Sequence, residues 1–309
     1  MQYMQVPSQV EYERATSVEH ALSLLSRPET RVVAGGHSII PMMKLRLAQP
    51  EVLVDVNELT ELAFIKLTGG QLRIGALARH ADLLDSAAAG ELFPIFGDAE
   101  RVVADPIVRL WGTVGGSLCQ ADPSEDLSAV FAAVRATAVI RGQDGDRMVP
   151  VREFHLGPYE TVIGTGELLA EVRVPVQPGT GSAYEKVARR TGDWSVAAVG
   201  AVLRLRGGRG GKPGRPVVVS AGLGLTAVGA EHFVAAEAEE FLVGRPADED
   251  SFAAAGAIAA EHCRPVADQR GPEDYKRHLV AELTARALRR AAARAAAPNS
   301  GPNSGGART

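Results

Sequence analysis

The stretches Val33-Ala34-Gly35-Gly36-His37-Ser38 and Gly112-Thr113-Val114-Gly115-Gly116-Ser117 decide how this chain is read. Each follows or opens an apolar run, and each ends in a small polar residue. Paired glycines let the main chain approach a ligand closely and take positive φ at little steric cost. Successive N–H groups then converge into a concavity that holds an anion. One Gly-Gly alone is more often a plain turn. Two on one domain predict a diphosphate gripped from both sides, and hence a nucleotide cofactor. Neither stretch is the G-x-G-x-x-G dinucleotide fingerprint or the G-x-x-x-x-G-K-[ST] P-loop.

The 309 residues leave room for two domains. With 46% hydrophobic and 23% charged residues the composition is that of a soluble globular protein. A net charge of −4 supplies no pull toward nucleic acid or an anionic membrane. Met1 to Pro7 lacks a basic region followed by an apolar stretch, so no secretory signal is expected. No run reaches the roughly 18 apolar residues of a membrane span, and a cytoplasmic location is expected. The two cysteines, Cys119 and Cys263, lie too far apart in sequence for a metal-ligand pair and read as small buried hydrophobes. An iron–sulfur cluster of the usual kind needs more thiolates than this chain has, so any such cluster belongs to a partner.

The apolar pattern predicts an α+β chain. Thr16-Ser17-Val18-Glu19 reads as a capping box ahead of a helix carrying Val18, Leu22 and Leu25. Arg31 to Ala34 is a short strand delivering the first glycine loop, and Pro41 to Leu47 a helical turn with proline at its first position. Val52 to Val56 is a buried strand, and Ala63–Leu67 and Gln71–Ile74 form a hairpin around Gly69-Gly70. Asp126 falls in the first turn of a helix carrying Leu127, Val130, Phe131 and Val134. Strands follow over Thr137–Ile140, Arg147–Val149 and Leu168–Val174. Pro175 and Pro178, with Gly179 and Gly181, mark the best domain boundary. Beyond it lie strands over Tyr184–Val187, Val196–Leu205 and Val217–Leu225, then helices over Ala230–Val243, Phe252–His262 and Pro272–Ala297. Three strands followed by helices on one side make a compact unit. The Gly/Ser/Asn/Pro-rich end is expected to be disordered.

Several polar groups could bear on a cofactor. Ser38 can donate to phosphate, the His37 amide can join the nest, and Lys44 and Arg46 can neutralise charge. Asp126 is either a carboxylate favoured by a helix N-terminus, worth about 0.3–1 kcal/mol, or an acceptor for sugar or ribityl hydroxyls. Lys186 to Trp194 packs Lys186, Arg189, Arg190, Asp193 and an indole together; alternation would put Lys186, Ala188 and Arg190 on one face. That segment is either a cation and a stacking ring aimed at a flavin or an ion-paired rim around a core tryptophan. Arg206 to Arg215 has the look of an RNA-binding RGG segment but lacks aromatics for stacking, and a long hairpin loop explains it better. No G-x-S-x-G elbow supports a hydrolase.

Ala34-Gly35-Gly36-His37-Ser38-Ile39-Ile40-Pro41, Lys44-Leu45-Arg46, Ala104-Asp105-Pro106 and Gly112-Thr113-Val114-Gly115-Gly116 together resemble the FAD-binding medium subunit of the molybdenum hydroxylases. Ala183-Tyr184-Glu185-Lys186, Gly192-Asp193-Trp194, Gly222-Leu223-Gly224-Leu225-Thr226 and Gly271-Pro272-Glu273-Asp274-Tyr275 are most similar to its aerobic carbon monoxide dehydrogenase branch. The resemblance spans about residues 1 to 292. It implies an FAD-binding fold of the vanillyl-alcohol-oxidase (PCMH) type over 1–177, with subdomains of about 1–57 and 58–177, then a C-terminal sheet-and-helices domain over 178–292 and a tail over 293–309.

It also implies FAD as cofactor, held by Val32, Val33, Ala34, Gly35, Gly36, His37, Ser38 and Ile39 in a first pyrophosphate loop. Thr113, Val114, Gly115, Gly116 and Ser117 would form a second. Val103 would lie on the adenine side, Asp126 on the flavin side, Leu169 at a main-chain contact, and Lys186 and Trp194 near the isoalloxazine. No catalytic acid, base or metal ligand is implied on this chain. The implied partners are a small iron–sulfur subunit with [2Fe–2S] clusters and a large molybdenum subunit, doubled to a dimer of heterotrimers, together with an external electron acceptor. Aldehyde and N-heterocycle hydroxylases share the architecture, as would an assembly subunit that has lost FAD. Relatives read Asp-Pro-Gln-Val-Arg-Asn-Arg-Gly before the second loop; here Ile107, Leu110 and Trp111 replace polar residues, and Trp194 stands for a tyrosine.

Overall fold

The computed structural model describes residues 6–207 and 215–297. Its first layer is a parallel sheet in the order β1-β3-β2, from Glu11–Arg14 (β1), Thr30–Val33 (β2) and Val52–Asp55 (β3). The central strand is buried at Val52, Leu53 and Val54, as a strand covered on both faces must be. Helix α1 (Val18–Leu25) packs Val18, Ala21, Leu22 and Leu25 onto it. Its N-cap is Ser17, whose hydroxyl accepts the His20 N–H at 3.1 Å. The expected capping box through Thr16 does not form, because the Thr16 amide and hydroxyl both face His20 Nδ1. Helix α2 (Ile39–Lys44) starts two residues before Pro41, which the first turn tolerates because its N–H groups have no intrahelical partner.

The second sheet is antiparallel in the order β4-β5-β10-β6-β7. The hairpin β4 (Ile65–Thr68) and β5 (Gln71–Gly75) turns at Gly69 and Gly70, both at positive φ. The stretch 76–111, to which the apolar pattern assigns no element, holds four short helices: α3 (His80–Asp85), α4 (Ala87–Leu92), α5 (Pro94–Glu100) and α6 (Pro106–Trp111). After them come α7 (Val114–Gln120) and α8 (Asp126–Ala133). Strands β6 (Thr137–Gly142) and β7 (Gly145–Pro150), a small pair β8 (His155–Gly157) and β9 (Glu160–Thr161), and β10 (Leu168–Pro175) complete the unit. Leu72, Ile74, Ala138, Ile140, Leu169 and Val172 meet Phe96, Leu118 and Phe131 in the main core.

The third sheet, β11-β12-β13, is antiparallel and comprises Thr180–Ala188 (β11), Ser195–Arg206 (β12) and Val217–Thr226 (β13). One face carries α9 (Ala236–Leu242), α10 (Glu249–His262) and α11 (Glu273–Ala296) over a second core. The other face takes α8, every residue of which is buried. Gly222 and Gly224 make that contact possible: a Cβ on Gly224 would stand 1.9 Å from the Ala129 carbonyl oxygen, and one on Gly222 2.1 Å from that of Ala133. Arg290 and Arg294 of α11 further clamp Asp98 of α5, at 3.0 and 2.6 Å.

Three further expectations need correction. The helix expected over Ala230–Val243 is reduced to α9, preceded by a short turn at Glu231–Phe233 in which His232 and Phe233 take positive φ. Helix α11 runs through Ala296, so the tail cannot begin at 293; residues 298–309 lie outside the described residues. A bulge after Val187 ends the β11 alternation, leaving Arg190 beyond the strand and exposed rather than on the Lys186 face. The middle of the Arg206–Arg215 loop also lies outside the described residues.

Candidate functional site

The first glycine stretch is the turn from β2 into α2. Gly36 has φ +74°, where a side chain would be strained. No described residue accepts a hydrogen bond from the amides of Gly35, Gly36, His37, Ser38 or Ile39. Five consecutive main-chain donors between a strand end and a helix start could form a nest for an anion. Val32 and Val33 supply the strand that leads into it, and the Ala34 carbonyl accepts Asn57 Nδ2 at 2.8 Å. The His37 ring folds back onto the Gly35 carbonyl at 2.7 Å.

The second stretch is built differently from the expected loop. Thr113 is the N-cap of α7, so Val114 to Ser117 are its first turn. Their amides are occupied: Val114 donates to Ala78, Gly115 to Ala76, Gly116 to Thr113 Oγ1 and Ser117 to the Thr113 carbonyl. No amide nest exists there. What it offers an anion is the half-buried Ser117 hydroxyl and the bare, exposed Cα of Gly116; Thr113 is buried, and its hydroxyl caps the Gly116 amide. A Cβ on Gly116 would meet only Thr113 Oγ1, at 2.8 Å, whereas Gly115 is a packing glycine against Ala76.

The two stretches touch. A Cβ on Gly35 would stand 2.1 Å from the Trp111 carbonyl oxygen. Arg79 ties the same junction together, donating to the Trp111 carbonyl at 2.5 Å and to Asn57 Oδ1 at 2.8 Å, while Asn57 holds the Ala34 carbonyl. Behind Ser117 lies a buried pair, His80 and Glu100, with Nδ1 3.0 Å from Oε2. Sequence reading missed Asn57, Arg79, His80 and Glu100, because no local pattern marks the short helices that carry His80 and Glu100.

A second cluster gathers the flavin-side residues. Asp126, in the first turn of α8, accepts from Tyr184 Oη at 2.6 Å, Ser195 Oγ at 2.9 Å and Lys186 Nζ at 2.7 Å. Lys186 also reaches the Val102 carbonyl at 3.2 Å, beside Val103. The Asp126 carboxylate is therefore already loaded with three donors, and Lys186 is paired rather than standing alone. Asp126 sits at a helix start, as the first sequence reading has it, and the hydroxyls it accepts are those of Tyr184 and Ser195 rather than of a sugar or ribityl chain. Neighbouring Glu125 caps α8 through the Leu127 and Ser128 amides, and burial pushes its carboxyl up to about 7. Gly192 packs against the Ala104 carbonyl and so brings the Trp194 loop to the Val103 segment. Trp194 is 46% exposed, which excludes a core role. Leu169 is buried in β10, beside Ala170, whose carbonyl accepts the Ala76 amide that borders Gly115.

The residues fit an FAD diphosphate: free amides on one side, the Ser117 hydroxyl and an open glycine face on the other, joined at Gly35. Among the described residues no three His, Cys, Asp or Glu side chains cluster in a way that could hold a metal ion. No helix there is long and apolar enough to cross a membrane. Cys263 is buried, as expected of it, but Cys119 is exposed on α7. Ile107, Leu110 and Trp111 are 64, 62 and 56% exposed, an apolar face on α6 beside the nest.

Comparison with known proteins agrees with the motifs. Residues 8–177 match the family described as FAD binding domain in molybdopterin dehydrogenase, and residues 182–291 the CO dehydrogenase flavoprotein C-terminal domain. The chain is 37% identical to the carbon monoxide dehydrogenase medium chain of Afipia carboxidovorans, over 92% of its own length and 96% of the relative's. It is 34% identical to the glyceraldehyde dehydrogenase medium chain of Sulfolobus acidocaldarius, over 91% and 98% of the two chains. The crystal structure of carbon monoxide dehydrogenase from Hydrogenophaga pseudoflava superimposes with a TM-score of 0.88 at 39% identity, covering 94% of this chain and 99% of that one. With both family domains in order and whole-length likeness, the chain belongs to the FAD-binding medium-subunit family of the molybdenum hydroxylases, as an oxidoreductase flavoprotein component of the carbon monoxide dehydrogenase type.

Proposed function

We propose that this chain is the FAD-carrying electron-transfer subunit of a molybdenum hydroxylase, most closely one that oxidises carbon monoxide. It would take electrons from [2Fe–2S] clusters on a small partner subunit, supplied by a molybdenum centre on a large one, and pass them to an external acceptor. A dimer of heterotrimers and a cytoplasmic location complete the proposal. The carrying observation is the row of amides from Gly35 to Ile39 without acceptors, pressed at Gly35 against the chain that opens the second glycine motif.

Val32 to Ile39 would hold the diphosphate from one side through main-chain donors, and Thr113 to Ser117 from the other through the Ser117 hydroxyl and the Gly116 face, with Thr113 capping the helix that presents them. Val103 and Leu169 would contribute main-chain surroundings, and Trp194 a stacking surface. The Asp126–Lys186 pair would fix a cation beside the flavin without exposing either charge. When bound, FAD supplies the redox chemistry, exchanging electrons singly or in pairs, while the protein binds and tunes it. No acid or base on this chain is asked to act on the hydroxylase substrate, so substrate choice rests with the partner.

The apolar face of α6 is proposed as the seat of a partner subunit, since exposed apolar clusters beside a functional site mark interaction surfaces. Titrating FAD into the flavin-free chain, wild type and Gly36→Val, tests the binding site. Saturable quenching of flavin fluorescence in the wild type and its loss in the variant are expected; equal binding by both refutes the assignment.

A further inference from the structure

We propose that His80 and Glu100 are positioning residues that aim the Ser117 hydroxyl, so that binding a diphosphate at the second glycine motif takes up a proton. The inference rests on the diphosphate reading of that motif. His80 opens α3, Glu100 ends α5 and Ser117 lies in the first turn of α7. His80 Nδ1 stands 3.0 and 3.1 Å from the two Glu100 oxygens, and its Nε2 is 3.2 Å from Ser117 Oγ. The pair is 3% and 0% exposed, whereas Ser117 is half-buried at the face the motif presents.

The Ser117 amide is held by the Thr113 carbonyl, so the hydroxyl is the only donor this residue can offer an anion. A hydroxyl has one hydrogen. When Nε2 carries no proton, the 3.2 Å contact is a hydrogen bond only if that hydrogen points back to the ring, and a lone pair then faces the ligand. When Nε2 is protonated it donates to Oγ, and the hydroxyl hydrogen is free for a phosphoryl oxygen. Anion binding therefore favours the doubly protonated ring.

The surroundings supply the charge balance for that state. Burial opposes the imidazolium, but Glu100, with Glu125 and Asp126 at the start of α8, holds the His80 proton above the ordinary histidine range. Burial also pushes the Glu100 carboxyl up, opposed by His80 and by the charge of Arg109 of α6, and Lys186 of β11 is paired to Asp126. The Ser–His–Glu order has the look of a nucleophilic triad. It cannot act as one with the local amides, because those of Val114 to Ser117 are all occupied and supply no oxyanion hole.

The test measures FAD binding to the flavin-free full chain between about pH 6 and about pH 9, where a histidine of raised affinity titrates and the diphosphate diester stays fully ionised. Linkage requires Kd to rise by up to about tenfold per pH unit where the free protein has lost the proton and the complex keeps it. Calorimetry in two buffers of different ionisation enthalpy should show proton uptake over the same range. Ser117→Ala should bind about tenfold more weakly at the acid end, through loss of a hydrogen bond to a charged group, and show neither slope nor uptake. Glu100→Gln should move the slope to lower pH; should that buried change prevent folding, Ser117→Ala still decides.

A flat wild-type profile, or a Ser117→Ala profile parallel to the wild type, overturns the relay while leaving the cofactor site intact. Failure of the wild type to bind FAD at any pH overturns the cofactor reading and the relay with it.

Discussion

Replacing Asp126 with asparagine in the flavin-free protein separates a built-in ion pair from a carboxylate that waits for a cofactor. Asparagine keeps the shape and one carbonyl acceptor for the Tyr184 and Ser195 hydroxyls. It turns an amide toward the Lys186 ammonium, whose side chain is 4% exposed and whose other acceptor is the Val102 carbonyl at 3.2 Å. Breaking a buried pair on one side costs about 3–5 kcal/mol, because the remaining charge has neither water nor partner. At about 2–4 °C per kcal/mol, the thermal midpoint should fall by roughly 6–20 °C. Adding Lys186→Met removes the stranded charge and should recover about half of the loss or more. Thermal and urea unfolding of the wild type, both single variants and the double variant complete a cycle. An Asp126→Asn protein within about 1 kcal/mol of wild type, or a double variant whose loss equals the sum of the singles, refutes the structural pair.

Gly224→Ala should cost about 3 kcal/mol or more by thrusting a Cβ to 1.9 Å from the Ala129 carbonyl, seen as a lowered urea midpoint. His155 is buried against the Leu118 carbonyl and held neutral, its pKa lowered by burial to about 4. Its unfolded value is higher, so the unfolded chain binds the extra proton first. The contribution is full above about pH 6.5 and is lost toward pH 4 at up to about 1.4 kcal/mol per unit. His155→Gln should flatten that part of the stability profile, and an unchanged acid slope would count against the assignment. Leu110→Glu on α6 should leave FAD binding unaltered yet reduce recovery of partner subunits in pull-down; full recovery would remove α6 from the interface.

Much of this architecture was legible because strands and turns carry local signals. The Gly69-Gly70 hairpin, the apolar runs of β3, β12 and β13 and the helix after Asp126 all stand where period and turn chemistry put them. The four helices between 80 and 111 were not legible. Each has six or seven residues, too short to be stable by propensity, and they are held by tertiary contacts such as His80 with Glu100. The first turn follows from its glycines, with Gly36 at φ +74°. The second misleads because its glycines lie inside a helix turn, where hydrogen bonds to Ala76 and Thr113 take the donors the pattern promises. Asp126 was found, but its partners Tyr184, Lys186 and Ser195 come from two later strands, and no local pattern joins them. The Gly222-x-Gly224 motif, noticed only through resemblance, has a plain steric cause in the passage of α8 across β13.

The central claim is that this chain carries the flavin of a molybdenum enzyme, and the most direct measurement is the molybdenum, iron and FAD content of the complex that co-purifies with it from its host. Near-equal molybdenum and FAD, with about four irons per flavin for a pair of [2Fe–2S] clusters, is the predicted result. Metals without flavin would contradict the flavin-carrying role, and flavin without metals would contradict membership in a molybdenum complex.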